Sequence, residues 1–308
     1  MLDGIFDKLD KLYQTGDHDG LEAYLKTLLL SMEINDEETR PEYITLQSEL
    51  AGFYRGVSRY AESAEVYSRI LELMERRGSA DTAPYANVLM NCAGLFRLMG
   101  EYEQSKAMFL RAKEIMERAP DMDDYAYASV LNNVSLAYQE SGELDKALEC
   151  AQAGLDIIKA GAGSEHETAT ALNNLAAMNI RIGRLGDAQA LISQALELYD
   201  KMPEANVHHA AALSTLATVL YLQKDFDAAA VSFQKSLILT EKFFGKNIEY
   251  AQCSRNLARV FEAMGDIPSA LRSYSVATEI VRSIFGHDHH KTAEYRAEMM
   301  RLETKLPE

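Results

Sequence analysis

The 308-residue sequence predicts an all-α protein, an α-solenoid of about seven antiparallel helix-turn-helix repeats closed by a C-terminal capping helix. Three observations predict this fold class. A turn signal recurs at a nearly constant period, small and large residues recur at fixed offsets from each turn, and the whole chain contains only 6 prolines. A regular period of this kind is typical of arrays in which each unit packs only on its neighbours.

The turn signal is a short stretch that begins with glycine in most copies, and a polar residue mostly follows the first position. Its seven copies start at Gly16, Ser58, Gly100, Gly142, Gly183, Lys224 and Gly265. Successive starts differ by 42, 42, 42, 41, 41 and 41 residues. Since glycine and polar residues favour turns, these seven positions predict the bends between paired helices.

A second pattern is the size of the residues at fixed distances before and after each turn. Small residues lie seven positions before the turn and five positions after it, and large ones mostly follow at nine. The small residues are Ala51, Ala93, Ser135, Ala176, Ala217 and Ala258 before the turn, and Ser63, Ser105, Ala147, Ala188, Ala229 and Ala270 after it. Two helices approach closely where small side chains face one another, and larger side chains then fill the grooves beside them. The pattern therefore predicts helical hairpins that stack on one another.

This combination of residues resembles the tetratricopeptide repeat, and its long period resembles the kinesin light chain subgroup in particular. The Leu-Asn-Asn-Leu-Ala string of that subgroup is matched at residues 131–135 and 172–176, and its connector is echoed at residues 285–290. The resemblance covers essentially the whole chain and implies a right-handed superhelix. The chain departs from the common repeat of about 34 residues and has no tryptophan. It also lacks light-chain heptads, so a motor-subunit role does not follow.

The period divides the chain into one array over residues 1–308. The predicted repeats cover approximately residues 2–43, 44–85, 86–127, 128–168, 169–209, 210–250 and 251–291. Residues 292–308 read as an amphipathic capping helix with Thr292 as its N-cap, because a solenoid needs a polar lid on its last apolar face. The register begins near residue 2, so we expect no separate effector domain ahead of it.

Composition and charge exclude several classes of partner. The net charge of −16 disfavours nucleic acid and anionic membrane surfaces, both of which attract basic proteins. No basic leader or long apolar run is present. Cys92, Cys150 and Cys253 are far apart and odd in number, which is typical of reduced thiols. We therefore expect a cytoplasmic protein that binds neither nucleic acid nor membranes.

Candidate sites for chemistry are weak in this sequence. The histidines of residues 287–290 are the best metal candidate and His208 with His209 the second, but adjacent histidines diverge and zinc needs three or four converging ligands. Residues 161–164 read as a flexible connector, and the acidic residues 121–124 lack the pattern of a calcium loop. We expect no catalytic site, no metal and no cofactor, and hence a protein that is not an enzyme.

The resemblance implies that the first helix of each repeat lines a concave groove, with ligand contacts at fixed positions before the turn. The candidate groove residues are Arg55, Asn87, Arg97, Asn132, Gln139, Asn173, Arg181, Ser214, Tyr221, Arg255 and Arg259. Amides can donate to and accept from a peptide backbone, and arginine can bind carboxylates with two hydrogen bonds. Alternatively, the arginines are solvated or offset neighbouring acids. For Asn133 and Asn174, one position further on, we favour inter-helix hydrogen bonds.

These features favour a non-enzymatic scaffold or adaptor that binds an extended or short helical peptide segment carrying acidic groups. One alternative is an intracellular peptide-responsive regulator. Another is a self-assembling structural unit that pairs through Met299 and Met300 or through the apolar N-terminal face. The expected partner is a protein or peptide, and the expected state is a monomer or a weak homo-oligomer.

Overall fold

The structure is a computed structural model that describes residues 2–34, 40–119, 124–162, 164–202 and 206–304. These ranges contain fifteen α-helices and no β-strand, so the predicted all-α solenoid class is confirmed. The chain consists of two compact units, Met1–Met178 and Asn179–Glu308. They are called the N-terminal unit and the C-terminal unit below.

Short turns and connectors separate the helices. In chain order the helices are α1 (Leu2–Thr15), α2 (His18–Ile34), α3 (Pro41–Gly56), α4 (Tyr60–Arg76), α5 (Ala83–Met99), α6 (Tyr102–Arg118), α7 (Asp124–Glu140), α8 (Leu144–Ile157), α9 (Glu165–Arg181), α10 (Leu185–Lys201), α11 (Val207–Leu222), α12 (Phe226–Phe244), α13 (Ile248–Met264), α14 (Ile267–Phe285) and α15 (His290–Glu303). A π-helical segment, Ile158–Ala162, follows α8. Odd-numbered helices from α1 to α13 are the first helices of the repeats.

All seven predicted turn positions adopt left-handed backbone geometry, which confirms them. The φ angles are 68° at Gly16, 62° at Ser58, 90° at Gly100, 78° at Gly142, 78° at Gly183, 68° at Lys224 and 80° at Gly265. The next residue closes each helix end, as where the Glu101 N–H donates to the Phe96 carbonyl over 2.9 Å. This geometry explains the frequent glycine, because a Cβ is strained there.

Lys224 offers a direct test of that strain, because it is exposed and has φ of 68°. A side chain in the left-handed region costs roughly 1–2 kcal/mol. Lys224→Gly should therefore raise the free energy of unfolding by about 1 kcal/mol in urea titrations. Gly265→Ala is the matched control, since a Cβ there meets no atom within 4 Å yet φ is 80°, and it should lower stability by a similar amount. A loss of stability in Lys224→Gly would contradict this interpretation.

From α3 to α13, first helices begin about one turn before the predicted repeat boundaries. For example, α5 begins at Ala83 rather than at residue 86, and α13 at Ile248 rather than at 251. N-cap side chains set these starts: Thr82 accepts from the Tyr85 N–H over 3.4 Å and Asn247 accepts from the Tyr250 N–H over 2.9 Å. The N-cap satisfies an amide that the helix itself leaves unbonded.

Small residues face one another inside the hairpins, as predicted. The Ser63 hydroxyl donates to the Ala51 carbonyl, and the Ser105 hydroxyl donates to the Ala93 carbonyl, each over 2.8 Å. In the next hairpin, a Cβ added to Gly154 would lie 3.1 Å from the Ala128 carbonyl oxygen. Helices this close exclude larger side chains at these points.

A recurring hydrogen bond joins neighbouring hairpins of the N-terminal unit. In each case a tyrosine in the first turns of a first helix donates to a glutamate ten residues earlier. The pairs are Tyr43–Glu33, Tyr85–Glu75 and Tyr127–Glu117, with O···O distances of 2.9, 2.7 and 2.9 Å. The three pairs follow one another at 42 residues, so the joint repeats with the array.

Helix α15 covers the end of the C-terminal unit. Its Leu302 is fully buried and packs in a cluster with Ala258, Ala270 and Tyr274. The predicted N-cap at Thr292 is wrong, because His289 is the N-cap and accepts from the Lys291 N–H over 3.2 Å. The Thr292 hydroxyl instead donates to the Gly286 carbonyl over 2.7 Å. Residues 305–308 of the predicted helix lie outside the described residues.

Candidate functional site

The candidate groove residues divide between the two units, and each unit is considered by itself. The N-terminal unit holds Arg55, Asn87, Arg97, Asn132, Gln139 and Asn173 on α3, α5, α7 and α9. The C-terminal unit holds Arg181, Ser214, Tyr221, Arg255 and Arg259 on α9, α11 and α13. All eleven therefore lie on first helices.

Three amides of the N-terminal unit have buried oxygens that accept no hydrogen bond within the described residues. They are Asn132 and Gln139 on α7 and Asn173 on α9, and we call them the amide site. Asn132 and Gln139 are two helical turns apart, so they lie on one face of α7 with a rise of about 10 Å between them. Asn173 occupies on α9 the position that Asn132 occupies on α7, ten residues before the turn.

Such unpaired acceptors are costly. A buried polar atom without a partner lowers stability by about 1–3 kcal/mol, and native structures contain few of them. Three such oxygens, at equivalent or same-face positions of neighbouring repeats, mark the amide site as the candidate site of this unit, because a hydrogen-bond donor brought to them would remove that cost. The amide nitrogens can also donate, so the site suits a group that both donates and accepts.

The neighbouring Asn133 behaves differently. Its amide Nδ2 donates to the Ser129 carbonyl one turn earlier in the same helix, over 2.9 Å. The predicted inter-helix hydrogen bond is therefore wrong for Asn133, because its side chain lies along its own helix and reaches that carbonyl first. Asn133 is therefore not part of the amide site.

The arginines of the N-terminal unit differ in their contacts. Arg55 Nη1 donates to the Asn91 carbonyl over 3.2 Å and lies 3.0 Å from where a Cβ on Gly94 would stand, so the glycine makes room for it. Arg97 is half-buried, and its guanidinium forms no ion pair or hydrogen bond with any described residue. Arg97 shares the repeat position of Gln139, three residues before the turn. Asn87, near the start of α5, is exposed.

The arginines on α13 bind the capping helix. Arg255 Nε donates to Glu298 over 2.8 Å and its Nη2 donates to Glu294 over 2.6 Å. Arg259 Nη2 donates to Glu298 over 2.8 Å. Burial alone would raise the pKa of Glu298, but the hydrogen bonds and charges of the two arginines lower it. Pairing with neighbouring acids, the alternative for these two arginines, is what the structure shows.

Arg259 and Tyr221 line a cleft of about 560 Å³ in the C-terminal unit, beside α15. Arg301 crosses this region and binds Glu262 with two hydrogen bonds of 2.8 and 2.6 Å. Tyr274 also lines the cleft, and its buried hydroxyl lies close to Arg301. The cleft is therefore polar, with its charges paired.

The remaining two candidates occupy different surroundings. Ser214 is half-buried and lies near the Cys253 thiol, which donates to the Phe233 carbonyl over 3.5 Å; burial raises the pKa of this thiol to about 11, although Ser236 and Ser214 act to lower it. Ser214 thus contacts the next first helix. Arg181 is exposed at the last turn of α9.

The histidine loop before α15 is bonded to charged neighbours. His287 Nδ1 lies 3.0 Å from Asp288 Oδ1, and its Nε2 lies 3.1 Å from Arg296 Nη1. Across the described ranges, no group of three or more His, Cys, Asp or Glu side chains is placed to hold a metal ion. Residues 121–123 of the acidic stretch lie outside these ranges. A search of the described helices found none with the length and hydropathy needed to span a bilayer.

The family follows from comparison with known sequences. A model of the MalT-like TPR region matches residues 111–306, and a tetratricopeptide repeat model matches residues 42–118. The first match alone covers more than half of the chain. The chain belongs to the tetratricopeptide repeat family. This confirms the resemblance seen in the sequence, and members of the family are protein-interaction modules.

Solved TPR structures have the same fold. NprR in complex with its cognate peptide NprX has a TM-score of 0.64 at 13% identity, over 97% of this chain and 86% of that one. A TPR protein from Parabacteroides merdae has a TM-score of 0.54 at 16% identity, over 97% and 98%. BtubC (BKLC) from P. vanneervenii has a TM-score of 0.52 at 20% identity, over 77% and 93%. A comparison with curated protein sequences yields no match.

The link between α13 and α15 is a feature of this TPR chain that the sequence analysis missed. Opposite charges recur at an offset of 39 residues, and the pairs are Arg255 with Glu294, Arg259 with Glu298, and Glu262 with Arg301. Comparing charges on α13 with those on the predicted cap would have revealed it.

Proposed function

We propose that this TPR chain is a non-enzymatic scaffold or adaptor that binds an extended or short helical segment of another protein at the amide site. The observation that carries the proposal is a set of three buried amide oxygens, in Asn132, Gln139 and Asn173, to which no described residue donates a hydrogen bond. Arg97 on α5 adds a guanidinium that forms no ion pair or hydrogen bond with any described residue.

The chemistry of a peptide backbone suits this site. An extended segment offers N–H and C=O groups at about 3.3 Å per residue, and amide side chains can bond both. Hydrogen bonds to the peptide backbone recognise the conformation of the bound segment more than the identity of its side chains. The site would therefore accept related segments of different sequence.

Charge would add selectivity at Arg97. A guanidinium without a partner can take a carboxylate through two hydrogen bonds, so an acidic side chain next to the bound backbone is favoured. Arg255 and Arg259 already bind Glu294 and Glu298. For this reason we assign the preference for acidic segments to Arg97 and not to the α13 arginines.

The fold is compatible with this proposal. NprR was solved with its cognate peptide NprX, so a chain of this fold can hold a peptide. Its identity of 13% shows only the shared fold, and the contacts proposed for this chain rest on its own residues.

The test combines peptide selection with shape-conserving substitutions. Peptides would be selected from a phage-displayed random library against the full chain, and binding measured by fluorescence anisotropy. Asn132→Leu, Gln139→Leu and Asn173→Leu should each weaken binding about ten-fold, because each removes hydrogen bonds to the ligand. Stability should hold or rise, since each change also removes an unpaired buried amide.

Gln152→Leu on α8 is the matched control, because Gln152 is exposed and donates to Asp156 within its own helix. It should leave peptide binding unchanged. Arg97→Glu should reverse any preference for acidic over basic peptides. Wild-type affinity in the three leucine variants would contradict the proposal. A preference of the wild-type chain for basic peptides would contradict the role assigned to the charge of Arg97.

A further inference from the structure

A second cavity lies between α14 and α15, apart from the amide site. It has a volume of about 250 Å³, and two arginines and a histidine line it: Arg282 on α14, Arg296 on α15 and His287 in the loop between them. A water molecule occupies about 30 Å³ in the liquid, so the cavity has room for a small polyatomic ion with water.

The lining is positive in a chain whose net charge is −16. Glu279 is the one carboxylate among the lining residues; it is 72% exposed and lies 3.4 Å from Arg282. Within the lining, one acidic group thus faces two guanidinium groups, while the carboxylate of Asp288, beside the lining, is hydrogen-bonded to His287. Arginine keeps its charge at all physiological pH values, so the excess is permanent.

Hydrogen bonds leave donors free on Arg296. Because a guanidinium can only donate, Arg296 Nη1 donates to His287 Nε2 over 3.1 Å, and His287 Nδ1 then donates to Asp288 over 3.0 Å. Arg296 Nη2 donates to the His287 carbonyl over 3.3 Å. These bonds use two of the five N–H groups of Arg296.

A buried hydroxyl completes the lining. The Thr278 Oγ1 is shielded from solvent and has no hydrogen-bond partner within the described chain, although Thr278 lines the cavity. Leaving it unpaired is unfavourable. A bound acceptor in the cavity would satisfy it, which points to an anion with oxygens directed at several donors.

We propose that this cavity binds a phosphate group, held by Arg282, Arg296 and the Thr278 hydroxyl. A tetrahedral dianion offers oxygens in several directions at once, which fits donors from two helices. Its charge also complements the two guanidinium groups. The phosphate can be free inorganic phosphate or a phosphorylated side chain of a partner.

The experiment titrates the full chain by calorimetry at constant ionic strength. The probes are inorganic phosphate, a phosphoserine peptide and the same peptide unphosphorylated. Saturable binding of either phosphate probe is expected, without binding of the unphosphorylated peptide. If the phosphoserine peptide binds more tightly than inorganic phosphate, the natural ligand is a phosphorylated protein. If inorganic phosphate binds more tightly, the natural ligand is the free ion.

Two variants test the assigned donors. Arg296→Gln should weaken phosphate binding at least ten-fold. Thr278→Val should weaken it about ten-fold, because a hydrogen bond to a charged group is lost, while thermal stability holds or rises because an unpaired hydroxyl is removed. This second variant separates ligand binding from any effect of Arg296 on the docking of α15.

Arg272→Gln is the control on the same helix, since Arg272 donates to the Ser269 hydroxyl over 2.7 Å and does not line the cavity. It should bind phosphate as the wild type does. The proposal would be overturned if neither phosphate probe saturates the wild type. Equal binding by the wild type and Thr278→Val would overturn it as well.

Discussion

Replacing Leu302 with alanine should lower the free energy of unfolding of the C-terminal unit by about 3 kcal/mol, the usual cost of emptying a buried leucine position. Leu302 is fully buried against Ala258, Ala270 and Tyr274. Because α15 covers the last apolar face of the array, its loosening would also expose α13 and α14 to water.

Urea unfolding followed by circular dichroism would measure the change, and hydrogen exchange would locate it on α13 and α14. Met300→Ala is the control on the same helix, because Met300 is 54% exposed and should contribute little. Equal stability of Leu302→Ala and Met300→Ala would show that α15 does not act as a cap.

The second large effect concerns the ion pairs that attach α15 to α13. Arg255→Met should lower stability by about 2 kcal/mol, because Glu298 is only 21% exposed and would lose its main partner. Removing one member of a fully buried pair costs about 3–5 kcal/mol, and partial exposure reduces that cost. Arg259 would still bind Glu298, which also limits the loss.

The same pairs predict a dependence on pH. The pKa of Glu298 is lowered in the folded chain, as burial is outweighed by Arg255 and Arg259. A carboxylate with a lowered pKa stabilises the fold fully above its unfolded pKa of about 4.3, and this contribution is lost as pH falls toward the folded pKa. The stability of the wild-type chain should therefore decrease as the pH is lowered below about 5.

Unfolding measured at several pH values would test this dependence. Glu298→Gln should be less stable than the wild type at neutral pH and should lose less stability on acidification, because residue 298 no longer titrates. Arg255→Met should also show a shallower acid dependence. An identical acid dependence in all three proteins would exclude Glu298 as a contributor.

Local patterns made the fold predictable. Glycine, or another residue at the same position, adopts φ between 62° and 90° at each of the seven turns. Because glycine adopts positive φ without steric cost, this geometry favours glycine at these positions in the sequence. Small residues such as Ala51 and Ala93 were predictable for the same reason, since close helices exclude anything larger.

Contacts between helices were harder to predict. The pairing of Tyr85 with Glu75 depends on how one hairpin stacks on the next, and a tyrosine can face solvent or a partner with equal ease. The Thr292 N-cap prediction failed because His289 can cap three residues earlier. For capping, several polar residues in one connector are chemically equivalent, so sequence alone does not select among them.

The sequence could predict where the candidate residues lie, but not which of their polar atoms have hydrogen-bond partners. The resemblance placed Asn132, Gln139 and Arg255 at ligand-contact positions of first helices, with nothing to distinguish them. The structure shows that Arg255 binds Glu298, while the buried oxygens of the two amides accept no hydrogen bond from the part of the chain that the structure describes. Whether a polar atom is satisfied depends on atoms from distant segments, and a repeat pattern does not contain that information.

Nitrogen–proton NMR of side-chain amides, recorded with and without a library-selected peptide, tests the central proposal most directly. We expect the Asn132, Gln139 and Asn173 amide signals to shift and their protons to exchange more slowly with solvent, because the peptide backbone bonds them. The Gln152 signal should stay unchanged. Binding that leaves those three signals in place, or that shifts Gln152 instead, would contradict a ligand site on the first helices.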